Sequence, residues 1–254
     1  MDIGTYIIVA ILTFVSEYLD AGLGMGYGTA LSPALILLGF PPLKVVPAVL
    51  ISQLFTDIAA CFCHHNYKNV NLKFGSNDLK IGIILGLISA IGVFISVIVT
   101  VRIPRWLLTS YIGSLVFIMG IVILITIKRP MKFSYRKLMG VSLLASFNKG
   151  ISGGGYGPLV MGGQLLSGIN AKNAVGITAF AEAITCFVGF MLYLIMGKAI
   201  DWKLVGVLII FAMLAVPFAA LTVKQTYSNR LKAYVGILIT ILGLLTLLKI
   251  SSGG

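Results

Sequence analysis

The sequence predicts an all-α polytopic membrane protein built on an internal repeat: two five-segment halves in inverted topology, each with a broken or re-entrant helix. Three observations carry this expectation. The 254 residues are 59% hydrophobic and only 10% charged, with a mean hydropathy of +1.06, far from the balance of soluble domains. Several apolar runs extend for ~18 residues or more without charge, the length needed to cross ~30 Å of hydrocarbon. A dense glycine run, Gly22-Leu23-Gly24-Met25-Gly26-Tyr27-Gly28, returns 129 residues later as Ser152-Gly153-Gly154-Gly155-Tyr156-Gly157-Pro158.

The first apolar segment covers about Gly4 to Leu19 and carries Glu17 and Asp20 near its end. It lacks a basic leader and reads as a retained first helix. After the glycine run comes a short stretch, Thr29 to Gly39, interrupted by Pro33 and ended by Phe40-Pro41-Pro42. At about eleven residues it is too short to span and suits a half-helix. The third segment, Val45 to Cys63, holds Gln53 and Asp57. A basic loop from His64 to Lys80 ends in Ser76-Asn77-Asp78, an N-cap signature for a fourth helix over Leu79 to Val101. Arg102 to Arg105 then turn the chain into a fifth helix, Trp106 to Ile127.

The second half replays this plan. Leu138 to Phe147 leads to Asn148-Lys149 and the second glycine run; a short segment covers Pro158 to Leu166, and a longer one, Ala171 to Met196, carries Glu182. Lys203 to Val223, with a kink expected at Pro217, and Leu231 to Leu248 complete it. The 129-residue offset aligns Gly24 with Gly153, Gly26 with Gly155, Tyr27 with Tyr156 and Gly28 with Gly157, and later Thr56 with Thr185. Internal symmetry of this kind is expected of transporters. The division that follows is a first transmembrane repeat over 1–127, a basic cytoplasmic connecting loop over 128–137, and an inverted second repeat over 138–254.

The net charge of +12 does not indicate nucleic acid, because the basic residues fall in loops and at helix ends, where they set orientation. With the amino terminus outside, twelve Lys and Arg lie in inside loops, five of them in the connecting loop, and seven lie outside. The expected placement is therefore a multi-pass protein of the cell membrane with both termini extracytoplasmic.

Candidate site residues come from the glycine runs and from charges within apolar segments. A broken helix exposes orphan N–H groups and a partial positive charge, and glycines let an anion approach them. This selects Gly24, Gly26, Tyr27 and Gly28 from the first run. From the second it selects Lys149, Ser152, Gly153, Gly154, Gly155 and Tyr156. The isolated Gly86, Gly92, Gly113, Gly120 and Gly236 are expected only to let helices pack closely. Charge in hydrocarbon is costly, which marks Glu182, and with it Gln53, Glu17 and Asp57, as a coupling or polar relay. Asp20 and Lys149 occupy equivalent repeat positions with opposite charge; pairing across the pseudo-two-fold axis and direct contact of Lys149 with the anion both remain open.

Two other classes fare poorly. Cys61-Phe62-Cys63-His64-His65 invites a metal reading, but one cluster is incomplete as a site, and three cysteines form no disulfide framework. Neither a metal nor a cofactor is expected. An intramembrane serine protease would need a histidine base after Ser152, and none follows His65; a His-Glu-x-x-His pair and an ATP-binding loop are also absent. The chain is expected not to be an enzyme.

The chain resembles the TauE/SafE sulfite exporter family of membrane permeases. The resemblance rests on Gly22 to Gly28 followed by Ser32-Pro33, on Gly150-Ile151-Ser152-Gly153-Gly154-Gly155-Tyr156-Gly157, and on Tyr67-Lys68-Asn69-Val70-Asn71-Leu72-Lys73 with Gly197-Lys198-Ala199-Ile200-Asp201-Trp202-Lys203. Met25 departs from the pattern, standing where a glycine is usual. The resemblance implies a secondary transporter of sulfite or a related organosulfonate in a lipid bilayer, with proton coupling suggested by Glu182. A passive anion channel is the alternative, and a metal-ion carrier a more distant one.

Overall fold

The computed structural model describes residues 3–126, 134–225, 237 and 239–248. Every regular element among them is a helix: α1 (Ile3–Leu23), α2 (Tyr27–Leu37), α3 (Pro42–Asn66), α4 (Asn77–Thr100), α5 (Arg105–Thr126), α6 (Tyr135–Ser152), α7 (Tyr156–Leu166), α8 (Ala171–Ile195), α9 (Trp202–Gln225) and α10 (Ile239–Leu248). Six, namely α1, α3, α4, α5, α8 and α9, are long and apolar enough to cross a membrane. At 11 residues each, α2 and α7 reach only about 16 Å.

The surface is that of a lipid-embedded bundle. On α4, Ile83, Leu87, Ile91 and Phe94 recur at helical spacing and are 40–61% exposed, while Gly82, Gly86, Ser89 and Gly92 turn inward. A water-soluble helix buries its apolar stripe; here the small and polar face is the buried one, as helix association in lipid requires. On α1 the same inversion exposes Ile3, Ile7, Ile11 and Val15 and buries Thr13, Ser16, Glu17 and Asp20.

Several helix ends differ from the sequence reading. α1 continues through Gly22 to Leu23, α3 through Cys63 to Asn66, and α6 from Tyr135 through Asn148-Lys149 to Ser152. α2 and α7 begin at Tyr27 and Tyr156, ahead of Thr29 and Pro158. Pro33 lies within α2 instead of interrupting it. Away from water the backbone keeps its helical bonds wherever it can, so each glycine-rich break shrinks to three residues, Gly24-Met25-Gly26 and Gly153-Gly154-Gly155. Arg136 and Lys137 belong to the first turn of α6 and not to a loop. Lys149 is a buried helical residue and belongs to no loop. The beginning of the expected last segment, at Leu231, lies outside the described residues, as does Gly236.

Ser76 caps α4 as expected, accepting from the Leu79 N–H at 3.3 Å. α4 packs on α6 and α8, α9 packs on α1 and α3, and α3 packs on α8 at the centre. Small residues set these approaches. Gly86 meets Ile184, Gly92 meets Ser146 and Leu143, and Gly113 and Gly120 meet Leu247 and Thr240 of the last helix.

Candidate functional site

The two breaks touch each other in the middle of the bundle. Gly24 (φ +69°) and Gly153 (φ +74°) adopt the left-handed conformation that closes α1 and α6. Their N–H groups donate to the Asp20 and Lys149 carbonyls at 2.6 and 2.8 Å. A Cβ on Gly28 would land on the Gly153 carbonyl, one on Gly154 would lie 2.6 Å from the Thr29 nitrogen, and one on Gly157 would strike the Gly24 carbonyl. Backbone therefore rests directly on backbone, and the Gly155 N–H donates across the crossing to Thr29 Oγ1 at 2.9 Å. Residues 23–36 and 148–158 are all buried.

The tyrosines that begin α2 and α7 anchor the crossing on either side. The Tyr27 hydroxyl meets Ser52 Oγ at 2.7 Å and that of Tyr156 meets Ser89 Oγ at 2.9 Å. Ser152 is occupied within its own break: its hydroxyl reaches the Asn148 carbonyl at 2.8 Å and accepts from the Gly154 N–H at 3.0 Å. Ser32, which was not among the expected site residues, has a wholly buried hydroxyl without a hydrogen-bond partner. A Cβ on Gly153 would stand 2.6 Å from it.

Beside the crossing lies a buried charged cluster. Lys149 Nζ donates to Glu182 Oε1 at 2.7 Å and also to Gln53 Oε1. Gln53 Nε2 in turn donates to Asp20 Oδ2 at 3.1 Å, and Asp20 Oδ1 accepts the N–H of Tyr27 at 3.1 Å. Asp20 and Lys149 are thus joined through Gln53. Asp57 receives the Cys186 thiol at 4.0 Å. One carboxylate oxygen each from Asp20, Asp57 and Glu182 lie within 4.8 Å of one another. Glu17 lies against Thr56, and its Oε2 is buried without a partner. Each of these four acids and Lys149 is at most 7% exposed, so four carboxylates face one ammonium where uncompensated charge is expensive.

The structure thus gathers all the expected relay residues, Glu17, Gln53, Asp57 and Glu182, at one place with Lys149. The sequence reading omitted Asp20, Thr56 and Cys186 from the site. Helical spacing held the signal: Glu17 and Asp20 are three apart, and Gln53, Thr56 and Asp57 are three and four apart, so each set shares one helix face. The Cys-His run takes a structural role. Both ring nitrogens of His64 are engaged, Nε2 with the Ala21 carbonyl at 2.9 Å and Nδ1 with Asn69 at 3.0 Å. His65 Nδ1 accepts from the Leu72 N–H at 3.2 Å. Among the described residues a separate crevice of about 430 Å³ opens between α4 and α6 near Lys80, Leu85 and Leu138, away from this cluster.

Residues 8–246 match the model of the family described as Sulfite exporter TauE/SafE. The chain is also similar to the Probable membrane transporter protein YtnM of Bacillus subtilis (strain 168), with 25% identity over 257 residues, covering 96% of this chain and 83% of the relative. No solved structure matches.

Proposed function

Because the chain belongs to the TauE/SafE sulfite exporter family, we propose that it is a secondary active transporter of sulfite or a related organosulfonate, with Lys149 as the countercharge for the anion. The observation that carries this reading is the buried ion pair Lys149–Glu182 at the crossing of the two breaks. A cation at that depth is costly unless it has a partner, and Glu182 holds the place of one.

An inverted repeat is supported by several features. Helix lengths run 21, 11, 25 and 24 residues in α1–α4 and 18, 11, 25 and 24 in α6–α9. The packing is reciprocal: α4 lies on α6 and α8 as α9 lies on α1 and α3. Residues 129 apart meet at the centre, Asp57 with Cys186 directly and Gln53 with Glu182 through Lys149. Both termini are extracytoplasmic on this reading, in keeping with the loop charges.

In the transport step an anion entering at Gly153 to Tyr156 draws on the positive end of α7, on the free Ser32 hydroxyl and on Lys149. Lys149 turns from Glu182 to the anion, and a proton on Glu182 removes the charge left behind. Lys149, Asp20, Asp57, Glu17, Cys186 and Tyr156 are the titratable groups whose charges act on or with Glu182. Proteoliposomes holding the purified chain test this by flux and electrical recording with sulfite, taurine, sulfoacetate and sulfate, with and without a pH gradient. Accumulation against a gradient is the expected result. Flux that only equilibrates indicates a channel, and no flux of any anion defeats the proposal. Glu182→Gln transport that is unchanged across pH removes the proton step alone.

A further inference from the structure

One proton on Glu182 does not settle the charge at this site. With Lys149 committed to Glu182, or to an anion, the carboxylates of Glu17, Asp20 and Asp57 still share one buried space. We propose that this space is a sodium site: Na⁺ is held by one oxygen each from Asp20 on α1, Asp57 on α3 and Glu182 on α8, and Glu17, which stands outside that cluster, turns its free Oε2 in as a fourth ligand. The inference rests on reading the cluster as part of a transport site and names a second coupling ion for it.

Two independent observations point to the ion. Oxygens around a hard cation at about 2.4 Å lie no farther apart than about twice that distance, and the Asp20, Asp57 and Glu182 oxygens fall within 4.8 Å of one another. Separately, Glu17 is 1% exposed and its Oε2 has no partner. Glu17 stands one turn before Asp20 on the same face of α1, with Asp20, Thr56, Glu182 and Lys149 as its electrostatic neighbours. A buried carboxylate oxygen without a donor marks a ligand position.

The donor set selects the class of ion. All four ligands are oxygens, which suits hard cations and not the copper or zinc that thiolate and imidazole would take. Mg²⁺ dehydrates reluctantly and demands close octahedral geometry. With several carboxylates against the one ammonium of Lys149, 2.7 Å from Glu182, a divalent ion would be held about twice as strongly as a monovalent one and would not be released. A monovalent ion can leave, as a transport cycle requires. With a proton on Glu182 and Lys149 turned to the anion, bound Na⁺ offsets the charge that remains on Asp20 and Asp57, so each ion favours binding of the other.

The test is thermal unfolding of the purified full-length chain in NaCl, KCl and choline chloride at equal ionic strength and fixed pH, with no anion substrate present. Saturating sodium should raise the midpoint by about 3 °C or more relative to choline, with a smaller rise in potassium. Both Glu17→Gln and Asp57→Asn should shrink that rise. If Asp57→Asn fails to fold, Glu17→Gln carries the test, because its Oε2 gives up no hydrogen bond. Equal midpoints in the three salts, an undiminished sodium effect in Glu17→Gln, or stabilisation only on acidification each overturn the site. Sodium stabilisation without flux of any anion would overturn the transport reading and leave the sodium site standing. Anion accumulation without a sodium effect would do the reverse.

Discussion

The two breaks open alike and carry opposite charge: Gly24 and Gly153 are both left-handed, while Gly26 (φ +139°) and Gly155 (φ +80°) differ. In the first, the N–H of Tyr27 at the start of α2 is already matched by Asp20, whose other oxygen takes Gln53. The positive end of that helix has an internal anion. In the second, the position equivalent to Asp20 is Lys149, so the start of α7 is accompanied by a cation held away by Glu182 and Gln53. The first break has its anion built in, and the second has a cation with its counter-ion. Like glycine runs bring the two breaks into contact, and Asp20 against Lys149 gives them opposite charge; in the proposed function the second is the half that meets the substrate.

The largest effect should come from attacking the shape both halves share. Gly28→Val or Gly154→Val drives a side chain into the opposing backbone, at a cost of roughly 4 kcal/mol or more. Neither variant should yield monodisperse protein on size-exclusion chromatography. A folded Gly28→Val would show that the breaks do not lie in contact. Next in size is the charge difference. Lys149→Gln leaves Glu182 without its ion-pair partner and should cost about 3–5 kcal/mol. Lys149→Gln with Glu182→Gln should regain most of the thermal stability while anion flux stays lost. Flux in the double variant would show that Lys149 is no anion ligand. The smallest effect should be the same in both halves: Tyr27→Phe and Tyr156→Phe each remove one hydroxyl contact, worth about 1 kcal/mol. A large difference between their melting temperatures would show that the two anchors are not equivalent.

The helix inventory was legible because a bilayer simplifies the rules. Apolar length marks a span, Ser76 marks a start, and the glycines mark the breaks. Their limits were misjudged where loop-like residues, Asn148-Lys149 and Gly22, stay helical to keep backbone groups paired. Gln53, Glu17, Asp57 and Glu182 stood out as polar residues in apolar runs, and they meet. Asp20 was weighed only as a partner of Lys149 across the repeat and was not placed with the relay residues. Four further residues, to Leu23, make Asp20 a buried residue of α1.

By itself, then, the sequence determined that this is a helical membrane protein with a duplicated glycine break and a few charges where charge is costly. Composition, run length and repeated spacing are properties of the chain, and lipid reads them residue by residue. Only the tertiary structure decided that Gly28, Gly154 and Gly157 pack backbone against backbone, that Lys149 is held by Glu182, and that three carboxylates from three helices converge within 4.8 Å. Those facts depend on how α1, α3, α6 and α8 cross. Contacts between residues 33 to 129 positions apart leave no local pattern from which that crossing can be read.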